Sequence, residues 1–150
     1  MGCLIMIIEI NELEKYDIET TRYESTKEGY NHINRLITEY NTGENRFDKI
    51  GEKLIGLALD DKVVAVCGLN IEPTDNRLGR IRRLYVLPEH RHRGIGTELV
   101  KYLIKHAEQY FQSVVVNIGD LPVQDFYKSM GFRPVINNDS YTHVLVLKHT

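Results

Sequence analysis

Short runs of apolar and β-branched residues alternate along the chain with polar turns, and between them apolar positions recur at helical spacing. Leu4–Ile10 reads as a first strand. Tyr30, Ile33, Ile37 and Tyr40 repeat every three or four residues and predict a helix. Ser25, with Glu28 three positions on, has the form of a capping box ahead of it, and Asn41-Thr42-Gly43 marks its end. Residues 11–24 and 44–52 follow neither period. Leu54–Leu59, the turn Asp60-Asp61-Lys62 and Val63–Ile71 predict a β-hairpin.

After a polar turn over Pro73–Gly79, Arg80–Leu87 reads as a strand. Strict alternation would put Ile81, Arg83, Tyr85 and Leu87 on one face and Arg82, Leu84 and Val86 on the other. Pro88 ends it. A glycine-containing loop leads to a long amphipathic helix marked by Ile95, Leu99, Val100, Leu103, Ile104, Ala107 and Phe111. Val114–Ile118 is a further strand, broken only by Asn117. Asp120 predicts the N-cap of a short helix running to Met130, with Gly131 as its stop. Tyr141–Leu147 supplies a last strand. The expected fold is α/β, a mixed and mostly antiparallel sheet flanked by helices.

Length and composition narrow the class. At 150 residues the chain predicts a single domain, residues 1–150. With 42% hydrophobic and 27% charged residues it is neither disordered nor membrane-spanning in character. Leu4–Ile8 is too short to cross a bilayer, no basic stretch precedes it, and position 6 is Met where a myristoylation motif needs Ser or Thr. Two cysteines, Cys3 and Cys67, cannot form a disulfide framework or a zinc cage, and a cytoplasmic setting is expected.

Charge is unevenly spread over a net of −2. Residues 1–76 carry 8 basic and 15 acidic side chains, whereas residues 77–93 carry 6 arginines against Glu89 alone. A positive zone within an acidic chain points to a bound anion. The zone lacks the aromatic platform of a nucleic-acid module, and its arginines interleave with Ile81, Leu84 and Val86 as in a folded strand. Acidic residues such as Glu24, Glu28 and Glu39, near the first helix, suit a cationic amine by long-range attraction, or form a solvated face.

The stretch Arg91-His92-Arg93-Gly94-Ile95-Gly96-Thr97 lies between a strand and a helix. Such a junction aims unpaired N–H groups and the positive end of a helix dipole at one point. Gly94 and Gly96 remove Cβ atoms from the approach of a diphosphate, and Arg91 and Arg93 add charge. The same glycines also serve a plain strand-to-helix turn, and the loop alone does not separate the two readings. It lacks the third glycine of a dinucleotide fingerprint and the Gly-Lys-Ser/Thr of a P-loop.

The segment Leu84–Gly96, with Arg91-x-x-Gly94-x-Gly96, closely resembles motif A of the GNAT N-acetyltransferase superfamily. Phe126-Tyr127-Lys128-Ser129-Met130-Gly131-Phe132 resembles the Phe-Tyr-x-x-x-Gly-Phe segment of its motif B. The likeness is strong over residues 80–135 and only topological before them.

This resemblance implies acetyl-CoA as donor, its pyrophosphate held at Arg91, His92, Arg93, Gly94, Ile95, Gly96 and Thr97. Main-chain groups of Leu84, Tyr85 and Val86 would bind the pantetheine arm. The Val86 N–H would polarise the thioester carbonyl, with Phe126 lining the site. The implied reaction is direct attack by a primary amine in a ternary complex, with Tyr127 giving a proton to the leaving thiolate. As a residue, Tyr127 equally suits a core position with a wet hydroxyl. No metal, membrane or nucleic acid is implied, and a monomer or homodimer fits.

The chain departs from the pattern where several members carry a strand glutamate as general base, since Arg80 stands there. Where members often have an asparagine seven residues before the tyrosine, this chain has Asp120; Asn117 is the alternative cleft residue. The missing carboxylate keeps open a second reading, an acyl-CoA-binding sensor without catalysis. Glu72 and Asp139 are conceivable remote bases. His90 and His92 lack a third zinc ligand nearby along the chain. Cys67, between Val66 and Gly68, fits a small buried hydrophobe. Arg80, Arg82 and Arg83 either bind an acidic acceptor or form a solvated strand face.

Overall fold

A computed structural model describes residues 5–148. Seven strands form one sheet: β1 (Ile5–Glu9), β2 (Lys53–Leu59), β3 (Lys62–Ile71), β4 (Leu78–Val86), β5 (Ser113–Val116), β6 (Arg133–Pro134) and β7 (His143–Val146). The helices are α1 (Glu19–Lys27), α2 (His32–Thr42), α3 (Ile95–Ala107) and α4 (Leu121–Ser129). Strand order is β1-β2-β3-β4-β5-β7-β6, and of the paired neighbours only β4 and β5 run parallel. The expected Leu4 at the start of β1 lies outside the described residues. The β2–β3 hairpin turns on Asp60 and Asp61 with φ of 49° and 69°, the pair of left-handed residues that a tight hairpin requires.

The capping box is corrected by the structure. Ser25 lies inside α1, buried, and its hydroxyl donates to the Arg22 carbonyl at 2.9 Å. Helix α1 was hidden because its buried positions include Thr21 and Ser25, so it presents no apolar stripe. Gly29, at φ 91°, turns the chain between α1 and α2. Helix α2 ends as expected on a left-handed Gly43. Asp120 occupies the N-cap position of α4, but its carboxylate makes no capping hydrogen bond.

A bulge in β4 overturns the simple alternation. Gly68 of β3 opposes Arg82 and Val66 opposes Tyr85, so β4 carries one extra residue there, and Arg83 adopts φ 62°. Directly paired residues share a face. Ile81 therefore lies with Leu69, towards Phe111 beyond the end of α3, and Leu84 approaches Gly96 of α3. Arg80, Arg82, Arg83 and Tyr85 take the opposite face, where Arg83 meets Glu39 of α2 and Tyr85 meets His32.

Beyond Arg80, β4 and β5 no longer pair, since their contact covers Leu78–Arg80 against Ser113–Val115 alone. The sheet splays here and leaves one side of β4 unpaired. Around the splay the core is tight: Ile33, Leu36, Leu99, Leu103 and Val114 are fully buried. A Cβ on Gly68 would lie 2.4 Å from the Phe47 ring, so that glycine is required by close approach.

Candidate active site

The unpaired edge of β4 meets the N-terminus of α3. Gly94 is the N-cap of α3, with φ 79°, and no side chain caps the helix. The first intrahelical bond from this turn runs from the Glu98 N–H to the Gly94 carbonyl at 3.0 Å, so the preceding amides of the turn have no helical acceptor. A Cβ on Gly94 would meet nothing within 4 Å, so glycine is needed there for its φ and for the open approach it leaves. A cavity of about 250 Å³ sits over this turn, lined by Val86, His90, Arg91, His92, Gly94, Ile95, Gly96, Thr97 and Phe126. The Phe126 ring packs over Gly96, 3.5 Å from an ideal Cβ there, an ordinary van der Waals distance.

Val86 is held with its main chain towards the splay. The Leu87 N–H donates to the Val64 carbonyl at 2.9 Å while Val86 opposes Ala65, so alternation along the strand turns the Val86 N–H and C=O away from β3. By the same alternation the Tyr85 main chain faces β3, and its side chain points to α1 and α2. The resemblance gave both residues main-chain contacts with the pantetheine arm, and Val86 the thioester carbonyl as well; their geometry differs.

Arg91 is also placed differently from the others. Its Nη atoms donate to Glu28 at 2.9 and 2.7 Å, its Nε donates to the Val86 carbonyl at 2.9 Å, and its guanidinium lies 5.4 Å from the Tyr85 ring centre. The Tyr85 hydroxyl donates to the same carboxylate at 2.5 Å. The Arg91 bond holds the Glu28 carboxyl below its ordinary pKa, and burial together with Glu28 pushes the Tyr85 hydroxyl up. Arg91 thus clamps the strand edge to the end of α1. Glu28 had no local signal in this role, because its partner lies 63 residues away.

Tyr127 sits behind Phe126, 4% exposed, with edge-on contacts to Phe126 and Phe132. Burial and then the neighbouring Cys67 raise its pKa, so it is protonated at neutral pH. Cys67 is itself buried, and burial pushes its thiol up, which leaves it unreactive. Arg93 is exposed outside the cavity lining, and Asn117 is exposed past the end of β5.

A family model described as the acetyltransferase (GNAT) family matches residues 11–132. The chain belongs to the GNAT acetyltransferase family. A candidate acetyltransferase from Exiguobacterium sp. 255-15 is 27% identical, with 95% of this chain and 93% of that one covered and a TM-score of 0.85. A GNAT-family acetyltransferase from Staphylococcus aureus Mu50 (19% identity, 97% and 100% covered, TM-score 0.69) shares the fold. So does an acetyltransferase from Streptococcus agalactiae 2603 (16% identity, 95% and 97% covered, TM-score 0.71). No curated protein matches significantly.

In this GNAT chain the opposite face of β4 holds the charge. Glu72, 1% exposed, accepts from Arg80 at 3.0 Å, from the Thr74 N–H at 2.9 Å, from the Thr74 hydroxyl, and from the Ser140 hydroxyl at 2.9 Å. Burial raises its pKa, but these bonds together bring it below its ordinary value. Glu39 lies 3.3 Å from Arg83 and 3.6 Å from Arg35. Two of the carboxylates expected to attract a cationic amine, Glu28 and Glu39, are therefore neutralised by arginines. Among the described residues no three His, Cys, Asp or Glu side chains converge as a metal site needs, and no helix is long and apolar enough to cross a membrane.

Proposed function

We propose that residues 1–150 act as one domain that transfers the acetyl group of acetyl-CoA to a primary amine, of a small molecule or a peptide, within a ternary complex. The observation that carries this reading is the joint placement of two features. An uncapped α3 N-terminus with an open left-handed glycine borders the same cavity as Val86, whose N–H turns into the splay of the sheet. The first suits a pyrophosphate, by main-chain donors and the helix dipole. The second suits an acyl carbonyl, whose developing negative charge the Val86 N–H stabilises.

The donor supplies the activated acetyl group. The neutral amine forms the new C–N bond as the C–S bond breaks, and the amine proton passes to water. Arg80 occupies the place of a strand carboxylate, and Glu72 already accepts from Arg80, Thr74 and Ser140. Tyr127, protonated at neutral pH, gives its proton to the leaving thiolate and takes one back from water, which closes the proton balance with the amine.

The test is free-thiol release from acetyl-CoA with amines, amino acids, polyamines and aminoglycosides in turn. At least one acceptor class should accelerate release well above the rate without amine. Binding of acetyl-CoA without release by any of them would favour the sensor reading, which the missing strand carboxylate also suits.

A further inference from the structure

Behind β4, on the face away from α3, lies a cavity of about 370 Å³ lined by residues of α2, the 43–52 segment, β3 and β4. Arg82 of β4 and Arg35 of α2 reach it, with Glu39, Asn45, Lys49 and Asn70 around them. The bulge at Arg83 brings three arginines of β4 onto this one face.

Their partners are fewer than they are. Arg80 is taken by Glu72, and Arg83 shares Glu39 with Arg35. Arg82 is left over: among the described residues no carboxylate lies within 4.0 Å of its guanidinium, and its Nε, like that of Arg83, is buried without an acceptor. Burial first, and then the positive charge of Arg83 and Arg80, lower its pKa to about 10. The wall beside it is rigid, since Asn45 and Asn70 bond each other reciprocally at 3.0 and 2.9 Å and Glu52 accepts from Asn70 at 3.0 Å and from the Ile71 N–H at 2.8 Å. A planar guanidinium that lines a cavity with no carboxylate paired to it is suited to an oxyanion.

We propose that this cavity binds the carboxylate of the acetyl acceptor on Arg82, so that the acceptor class is an amine that also carries a carboxylate, an amino acid or a short peptide. The inference rests on the acetyltransferase reading and narrows its acceptor. Four carboxylates (Glu39, Glu44, Asp48 and Glu52) and four cations (Arg35, Arg46, Lys49 and Arg82) line the same cavity, so its formal charge cancels, and a single carboxylate adds less negative charge to it than a dianionic phosphate. Arg82 precedes Val86 by four strand residues, which sets the anchor at most about 13 Å from the reacting site between Cα positions.

The experiment compares amines that differ only in the anionic group: ω-amino acids of increasing length and a glycyl dipeptide, their carboxamides, and aminoalkyl phosphonates. Each is assayed by thiol release and by calorimetric titration into the CoA-bound protein. The native chain should favour a carboxylate over its carboxamide by about tenfold or more. Arg82→Met should erase that preference through KM, with the Kd for acetyl-CoA unchanged, and Arg82→Lys should restore part of it.

Removing an uncompensated charge should also leave the Tm of Arg82→Met equal to or above that of the native chain, whereas a structural arginine would lower it. Equal use of acids and amides by the native chain, or a preference that survives Arg82→Met, would overturn the proposal. So would a preference for phosphonates, which would reassign the anion. Thiol release without carboxylate preference defeats this inference and leaves the acetyltransferase reading standing. Failure of every amine defeats that reading, and the titrations then show whether Arg82 binds carboxylates at all.

Discussion

The two sides of strand β4 are built on different plans. Towards α3, the site is made of main chain: an uncapped helix turn, a left-handed Gly94 and the outward N–H of Val86. Towards α1 and α2, it is made of charged side chains, with Arg80 paired to Glu72, Arg83 paired to Glu39, and Arg82 left between them without a carboxylate. Main-chain recognition depends on the path of the chain and little on the identity of exposed side chains, so it suits a donor held by its shared pyrophosphate. Side-chain recognition changes with each substitution, so it suits the acceptor. Breaking a main-chain site therefore takes a backbone change, and breaking the charged side takes only one ionic partner.

The largest effect is expected at Gly94. Gly94→Val places a β-branched residue at φ 79° and a side chain in the open approach. Acetyl-CoA affinity should fall by about 100-fold or more, the equivalent of about 2.7 kcal/mol, as read by calorimetry. Nothing lies within 4 Å of the added Cβ, so the fold should persist by circular dichroism, at a strain of about 1–3 kcal/mol. Native-like affinity in this variant would show that the anion sits elsewhere.

Tyr127→Phe is next. It keeps the ring packing against Phe126 and Phe132 and removes only the hydroxyl. The kcat should fall by roughly 10²-fold with acetyl-CoA affinity unchanged, since a proton given to the leaving group matters in the transition state alone. A loss confined to binding would make the hydroxyl a donor-site contact instead.

The Arg91 clamp sharpens the comparison because it joins the two plans. If its guanidinium served the pyrophosphate directly, Glu28→Gln would free it and tighten acetyl-CoA binding. The observed bonds to Glu28 and the Val86 carbonyl predict the reverse, a several-fold weakening as the strand edge loosens. A double-mutant cycle of Glu28→Gln and Arg91→Gln should give a coupling of about 1 kcal/mol in unfolding free energy, the pair being partly exposed.

The same contrast explains what could be read from the chain alone. The hairpin, the glycine loop, α3 and the Phe-Tyr segment are local: their turn residues and periods lie within a few positions of one another. The bulge at Arg83 has no such signal, because it is fixed by pairing against β3, and missing it assigned Ile81 to the wrong face. Helix α1 buries Thr21 and Ser25, where the Thr21 hydroxyl donates to the Val63 carbonyl at 2.7 Å; a tertiary partner replaces the apolar stripe. Glu28, Glu39 and Glu72 each find arginines through the fold, which no count of charges along the sequence could show.

The smallest effect is expected at His32 of α2, on the charged side of β4. Its ring lies 5.7 Å from Tyr85 and 5.4 Å from Tyr30, and its Nε2 is buried without a partner. Burial, and then the charge of Arg83, hold its pKa below the ordinary value. The folded chain therefore keeps His32 neutral at a pH where the unfolded chain has begun to protonate it. The unfolded state binds more protons in that window, so stability is fully present above about pH 6.5 and is lost as pH falls from there towards the folded pKa. His106 and His143 are shifted the same way and add to the slope. His32→Phe keeps a ring against Tyr85 and removes the titration, so its unfolding free energy should fall less steeply between pH 7 and pH 5. One proton limits the difference to about 1.4 kcal/mol per pH unit. Urea unfolding of both chains at pH 5, 6 and 7 measures it, and parallel curves would show that His32 titrates in the fold as it does in the unfolded chain.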